Sequence, residues 1–161
     1  MSQASVSWVI GPRTPVDGRV RLAFAAVALA CAALLTIARR LPPDPRGVGT
    51  HESLGLPPCG FVLTSGLPCP TCGMTTSFAL IMHGRPLDAV IAQPAGAALC
   101  LMTMAMLILS VQTVYTGRLI RVNWDRIGHI RIVIGFGLLI LGGWAFKMFY
   151  GLATGTLPIH S

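Results

Sequence analysis

The chain has 161 residues, the length of one domain, with 53% hydrophobic and only 11% charged residues and a mean hydropathy of +0.71. Soluble domains carry about 25% charged residues, so this composition excludes an ordinary water-soluble fold and points to a membrane protein whose first partner is the lipid bilayer. The net charge is +7, but the basic residues cluster at the ends of apolar runs, where they act as topology signals. They do not form the basic face with aromatic neighbours that binds nucleic acid, and no nucleic-acid partner is expected.

Residues 1–21 form a polar tail with Arg13, Arg19 and Arg21. Residues 22–38, LAFAAVALACAALLTIA, carry no charge and end at Arg39-Arg40. A bilayer needs about 20 apolar residues, with a lower limit near 17, and the flanking arginines can snorkel. This is the first predicted span, and its alanine content predicts packing against protein on one side. The basic start suits a signal peptide, and Ala28-Leu29-Ala30-Cys31 has a trace of a lipoprotein box. Arg39-Arg40 stands where a small-residue cleavage site would be needed, so the run is read as uncleaved.

Residues 39–71 are a Pro/Gly-rich loop, expected to be irregular, with Asp44, His51, Glu52 and Cys59. Residues 72–93 hold the end of a Cys turn and two short helical stretches, Met74 to Met82 and Leu87 to Ala92, interrupted by Gly84 and Pro86 and stopped by Pro94. His83, Arg85 and Asp88 argue against a span here, so a re-entrant or interfacial hairpin is expected. Residues 95–114 are the second span and 117–131 a basic connector with Arg118, Arg121, Arg126 and Arg131. Residues 132–150 are the third span. Gly135, Gly137, Gly142 and Gly143 would let another helix approach closely, Trp144 and Tyr150 suit the headgroup level, and Lys147 is expected to snorkel there.

The predicted fold is therefore an all-α membrane protein, one membrane domain over 1–161, with three transmembrane helices and a short re-entrant or interfacial helical hairpin after a Cys-x-x-Cys turn. The tail and the 117–131 connector carry seven basic residues, and the opposite side carries four, Arg39, Arg40, Arg46 and Arg85. The positive-inside rule places the N-terminus in the cytoplasm and the Cys loop outside.

The chemistry concentrates in GLPCPTCGMTTS, Gly66 to Ser77. A Cys-x-x-Cys turn presents two sulfurs from one loop, which suits tetrahedral Zn²⁺ or a reversible disulfide. Pro70 stiffens the turn and Gly73 can adopt backbone geometry that other residues resist. A helix starting near Cys72 would lower that thiol's pKa. A structural metal needs four ligands. Cys69, Cys72 and Cys59 supply three, and GFVLTSGLP between Cys59 and Cys69 can fold back so that the Cα of Cys59 comes within about 7 Å of the turn. The fourth is not evident; His51 lies in the same loop, whereas His83, three helical turns beyond Cys72, would be about 16 Å away.

The same three cysteines serve a disulfide clip equally well, as an oxidising compartment would favour, although one is left over. A catalytic dithiol is the third reading, without the βαβ context of soluble redox folds. Cys31 and Cys100 sit alone within spans and read as small apolar residues. Met102, Met104 and Met106 spread around a helix and read as packing. There is no nucleophile–base pair, phosphate loop or paired carboxylate; Asp44, Glu52 and Asp88 are scattered. No catalytic or organic-cofactor residues are assigned and hydrolase or transferase activity is not expected.

CPTCGMT, a short apolar helix, a Gly-x-Pro-Leu-x-Ala stretch and a proline opening the next span together resemble the domain of unknown function 2752 family, over roughly residues 56–115. These are small bacterial membrane proteins with a Cys-Pro-x-Cys-Gly-x-Thr-Arg signature. Cys59, Cys69, Pro70, Cys72, Gly73 and Thr75 match it; Thr76 stands where Arg is common, and Gln93-Pro94 where Asn-Pro is usual. The resemblance implies a bacterial inner-membrane location and no particular reaction. The expected function is a small integral membrane protein whose Cys turn organises a surface loop by disulfide or metal. The alternatives are a membrane thiol-disulfide oxidoreductase using Cys69 and Cys72, and a metal-binding accessory subunit working with other membrane proteins.

Overall fold

The computed structural model describes residues 10–122 and 129–154. Residues 1–9, 123–128 and 155–161, with Arg126 of the connector, lie outside the described residues. The elements in chain order are β1 (Ile10–Pro15), α1 (Gly18–Arg40), a 3-10 turn (Thr50–Leu54), α2 (Gly60–Ser65), α3 (Met74–Met82), α4 (Pro86–Ala92), α5 (Pro94–Thr116), β2 (Arg118–Val122) and α6 (His129–Thr154). The protein is an all-α, membrane-like fold with a small two-stranded sheet. Three helices are long and apolar enough to cross a membrane: Gly18–Arg40, Pro94–Thr116 and Ile130–Ala153, with mean hydropathies of 2.3, 2.0 and 1.9. Their side chains are mostly exposed, as Leu22, Leu29, Ile108, Val133 and Leu138 illustrate. Apolar surface on this scale needs a lipid environment.

Proline sets the helix starts after the Cys turn. Gly84, at φ +76, ends α3, and Pro86 opens α4 in its first turn, where its missing N–H costs nothing. Gln93 is extended (φ −165°, ψ 107°), as a residue before proline prefers, and Pro94 begins α5 directly. Pro94 is therefore a helix starter as well as a stop. The loop also departs from expectation: it contains the 3-10 turn and α2. Gly49, Gly55 and Gly66 bound these pieces with positive φ, which explains why a Gly-rich stretch can hold single helical turns.

The described residues form two compact groups, one of residues up to 33 with 103–135, the other of residues 34–102 with those from 136 onward. In the first, β1 pairs antiparallel with β2, Thr14 opposite Leu119 and Pro15 opposite Arg118. Arg21 Nε donates to the Val114 carbonyl at 2.6 Å. The pairing puts the N-terminal segment and the connector on the same side, as three spans require; neither strand was visible in the hydrophobic pattern.

In the second group α3 packs on α4 around Leu80, Ala89, Ala92 and Ala97. Ser77, fully buried, donates to the carbonyls of Ala89 (2.9 Å) and Gln93 (3.0 Å). Gly96 of α5 lies so near α3 that a Cβ there would stand 2.9 Å from Met74 Cα and 3.0 Å from Ser77 Cβ. Arg39 donates to the Met82 carbonyl. In α1 the residues Phe24, Ala25, Ala28, Cys31 and Ala32 are half-buried and Leu35 and Ala38 buried, whereas Leu22, Leu29 and Leu34 are exposed, so the alanine-rich side is the covered one. One packing expectation is corrected. Of the glycines singled out in the third span, Gly143 meets a close neighbour, Pro94, 2.9 Å from the position of a Cβ, whereas Gly135, Gly137 and Gly142 face open space.

Two outcomes are expected. Reporter fusions at residues 50 and 122 should fall on opposite sides of the membrane, and a same-side result would contradict the three-span arrangement. Gly96→Ala should cost about 1–3 kcal/mol through overpacking, read as a lower unfolding temperature in detergent.

Candidate metal centre

The centre is assembled by two short reversals of the chain. Cys59 is the N-cap residue of α2. The helix lasts six residues, and Gly66 (φ +69) closes it, its N–H donating to the Val62 carbonyl. The chain then returns through Leu67 and Pro68 to Cys69. Cys69–Cys72 is a tight turn, with the Cys72 N–H on the Cys69 carbonyl at 3.0 Å and Pro70 at the position where its fixed φ favours turning. Gly73 follows at φ +98 and leads into α3. A side chain there would be strained and blocked, because its Cβ would sit 2.8 Å from the Gly47 carbonyl and 2.9 Å from that of Ala92.

The reversal brings the three sulfurs of Cys59, Cys69 and Cys72 within 4.8 Å of one another. Cys69 and Cys72 Sγ are 3.1 Å apart, beyond the ~2.05 Å of a disulfide. All five cysteines are thiols. The two motif thiols are electrostatically unequal. Burial pushes the Cys69 thiol up, but the Thr71 hydroxyl at 3.3 Å and the Cys72 thiol outweigh this and lower it to about 7. Cys72 is raised to about 12, first by burial and then by its hydrogen bond with Cys69. The expectation that the helix start would favour the Cys72 thiolate is thus reversed: burial exceeds the dipole's pull, and the more exposed Cys69 is the acidic thiol.

A cavity of about 250 Å³ opens beside the sulfurs, lined by the three cysteines with Gly49, His51, Thr71, Gly73, Met74, Thr75 and Thr76. Thr76, where the related signature has Arg, is buried and bonded to buried Thr50, Oγ1 to Oγ1 at 2.8 Å. The other sequence candidates lie elsewhere. His83 is exposed at the end of α3, its Nδ1 2.8 Å from the Ala79 carbonyl. Cys31 is half-buried in α1 and Cys100 fully buried in α5. Met102, Met104 and Met106 are exposed on α5. The carboxylates are used in ion pairs: Asp44 and Glu52 face Arg46 at 2.8 and 3.4 Å, and Asp88 faces Arg85 at 2.7 Å. The hydrogen bonds from Arg46 hold the Asp44 carboxyl below its usual range.

Side chains to which the sequence assigned no part in the site hold the turn in place. Lys147 does not snorkel. It is partly buried, and Nζ donates to the carbonyls of Gly47 and Ala92 at 3.0 Å each and more distantly to Cys72 at 3.5 Å. Trp144, one turn earlier on α6, donates Nε1–H to the Pro68 carbonyl at 2.8 Å. Gln93, fully buried, donates Nε2–H to the Pro70 carbonyl at 2.7 Å. Its Oε1 has no partner among the described residues. The available signal was Lys147 itself, the one charged residue of the 132–150 span, since ionisable residues at such positions usually face protein and find partners.

The inequality of the thiols has a direct readout. In reduced, chelator-treated protein, iodoacetamide should modify Cys69 at a rate that rises with pH through about 7 and then levels, because only the thiolate attacks. Cys72, raised to about 12, should stay unmodified across that range. Peptide mapping by mass spectrometry distinguishes the two, and equal modification of both at pH 8 would contradict the assignment.

Neither the curated proteins nor the solved structures contain a significant match to this chain. What does match is the stretch from the first cysteine of the centre into the second span: residues 59–108 fit the family described as protein of unknown function (DUF2752).

Proposed function

We propose that this is a bacterial inner-membrane protein, N-terminus in the cytoplasm, in which Cys59, Cys69 and Cys72 hold a zinc-type divalent cation that fixes the outer loop to the start of α3. The observation that carries this reading is the convergence of the three sulfurs within 4.8 Å. A tetrahedral ion with Zn–S bonds of about 2.3 Å sets its sulfurs about 3.8 Å apart. The separations here, from 3.1 Å for Cys69–Cys72 up to 4.8 Å, bracket that value. Soft thiolate ligands in this number favour zinc over magnesium or calcium. The Lys147 ammonium next to the turn offsets part of the negative charge of three thiolates. The seven-to-four distribution of basic residues supports the orientation. The role is structural or accessory: an ordered loop on the outer face, presented to other membrane proteins.

One observation favours a second reading. A thiol lowered to about 7 beside one raised to about 12 is the asymmetry of a dithiol in which one sulfur attacks and the other resolves. In that reaction the Cys69 thiolate attacks a partner disulfide and forms a mixed disulfide. Cys72 then displaces the partner as a dithiol, leaving Cys69–Cys72 oxidised.

Metal analysis of protein purified under reducing conditions without chelator separates the two. The metal reading expects about one zinc per chain. It also expects Cys59→Ser to lose most of it, because Cys59 is the third sulfur. The dithiol reading expects no bound metal and a Cys69–Cys72 disulfide under mild oxidation that does not depend on Cys59.

A further inference from the structure

Three sulfurs leave a structural zinc site one ligand short. We infer that His51 is the fourth ligand, so that the loop and the turn form a Cys3His centre; the inference rests on the metal reading above. His51 lines the cavity beside the three sulfurs, and among the lining residues it is the single histidine or carboxylate. The remaining lining side chains are hydroxyls and a thioether, weak ligands for zinc beside an imidazole.

The backbone at His51 is fixed at that place. Its neighbour Thr50, only 2% exposed, is bonded to Thr76 on the first turn of α3 and accepts the Asp44 N–H at 3.0 Å. Ser53 Oγ donates to the Thr50 carbonyl at 2.6 Å, and the Glu52 N–H reaches the Gly49 carbonyl at 2.8 Å. Residue 51 is thus held one position from a buried anchor on the helix that begins just after Cys72. Its ring is only half-buried and stands on the cavity wall, outside the 4.8 Å group of sulfurs. Ligation would turn the ring from the cavity wall toward the sulfurs.

Elimination and charge point the same way. Asp44, Glu52 and Asp88 are engaged with arginines, and His83 lies at the far end of α3 on the Ala79 carbonyl. Three thiolates already exceed the charge of a divalent ion, so a neutral imidazole adds a ligand without adding negative charge to a partly buried site.

The test uses the full chain in detergent, reduced and stripped with chelator, then titrated with Zn²⁺ and Co²⁺. X-ray absorption of the zinc form should show three sulfurs at about 2.3 Å and one imidazole nitrogen at about 2.0–2.1 Å. His51→Ala should lose the imidazole scattering and bind more than about tenfold more weakly, the loss that even outer-shell partners of ligands produce. His51→Cys should regain tight binding with a four-sulfur shell and stronger thiolate-to-cobalt absorption. The second variant decides the matter if the first misfolds. A wild-type shell of three sulfurs without imidazole, or equal affinity and scattering in His51→Ala, overturns the assignment and leaves the three-cysteine site standing. Wild-type protein that binds no metal with its thiols reduced overturns both.

Discussion

The centre depends on one constraint, the need to satisfy a cation carried by an otherwise apolar helix. Lys147 has three N–H donors to satisfy. It finds the Gly47, Ala92 and Cys72 carbonyls, which come from the long loop, the end of α4 and the Cys turn. An unpaired ammonium at such a position costs several kcal/mol. The arrangement that satisfies it also draws these three segments together. Trp144 adds a second tie one turn away, to the carbonyl of the residue before Cys69.

That clamp requires small residues where the segments meet. Gly73 leaves room for the Gly47 and Ala92 carbonyls to approach Lys147, and Gly143 lets α6 lie against Pro94. Gly96 performs the same task between α3 and α5. Buried polar side chains then fix the register. Ser77 bridges α3 to the carbonyls of Ala89 and Gln93, Gln93 reaches the turn at Pro70, and Thr50 joins Thr76. In a low-dielectric setting such bonds are costly to break singly, so they preorganise the loop beside the turn. The unpartnered Oε1 of Gln93 is the exception among these groups.

Preorganisation also accounts for the two characters of the site. A turn that crowds sulfurs together stabilises a thiolate on the exposed member and suppresses it on the buried one. A divalent cation would resolve that conflict, because the metal's charge replaces the proton on each sulfur and favours ligand thiolates irrespective of their resting pKa. The asymmetry of Cys69 and Cys72 and the presence of Cys59 beside them are therefore compatible with one metal-binding geometry. Cys59 contributes to that asymmetry, since its hydrogen bonds favour the Cys69 thiolate and disfavour that of Cys72.

The sequence by itself determined the membrane class, the three spans and the helix breaks at Gly84, Pro86 and Pro94, because these follow from local hydropathy and from backbone limits on glycine and proline. It also singled out Cys59 and the Cys69–Cys72 turn, which stand out from an apolar background and which the fold brings together. Tertiary structure alone decided the rest. The β1–β2 pairing joins residues separated by about one hundred positions and leaves no periodic trace in either strand. The destination of Lys147 depends on carbonyls from three distant segments, and a backbone carbonyl has no sequence signature. Whether a glycine is needed for space, as at Gly96 and Gly143, or stands in the open, as at Gly135 and Gly137, depends on which helix passes beside it. Burial likewise reversed the expected order of the two thiols, because desolvation is a property of the surrounding fold, whereas the helix start that argued for Cys72 is local.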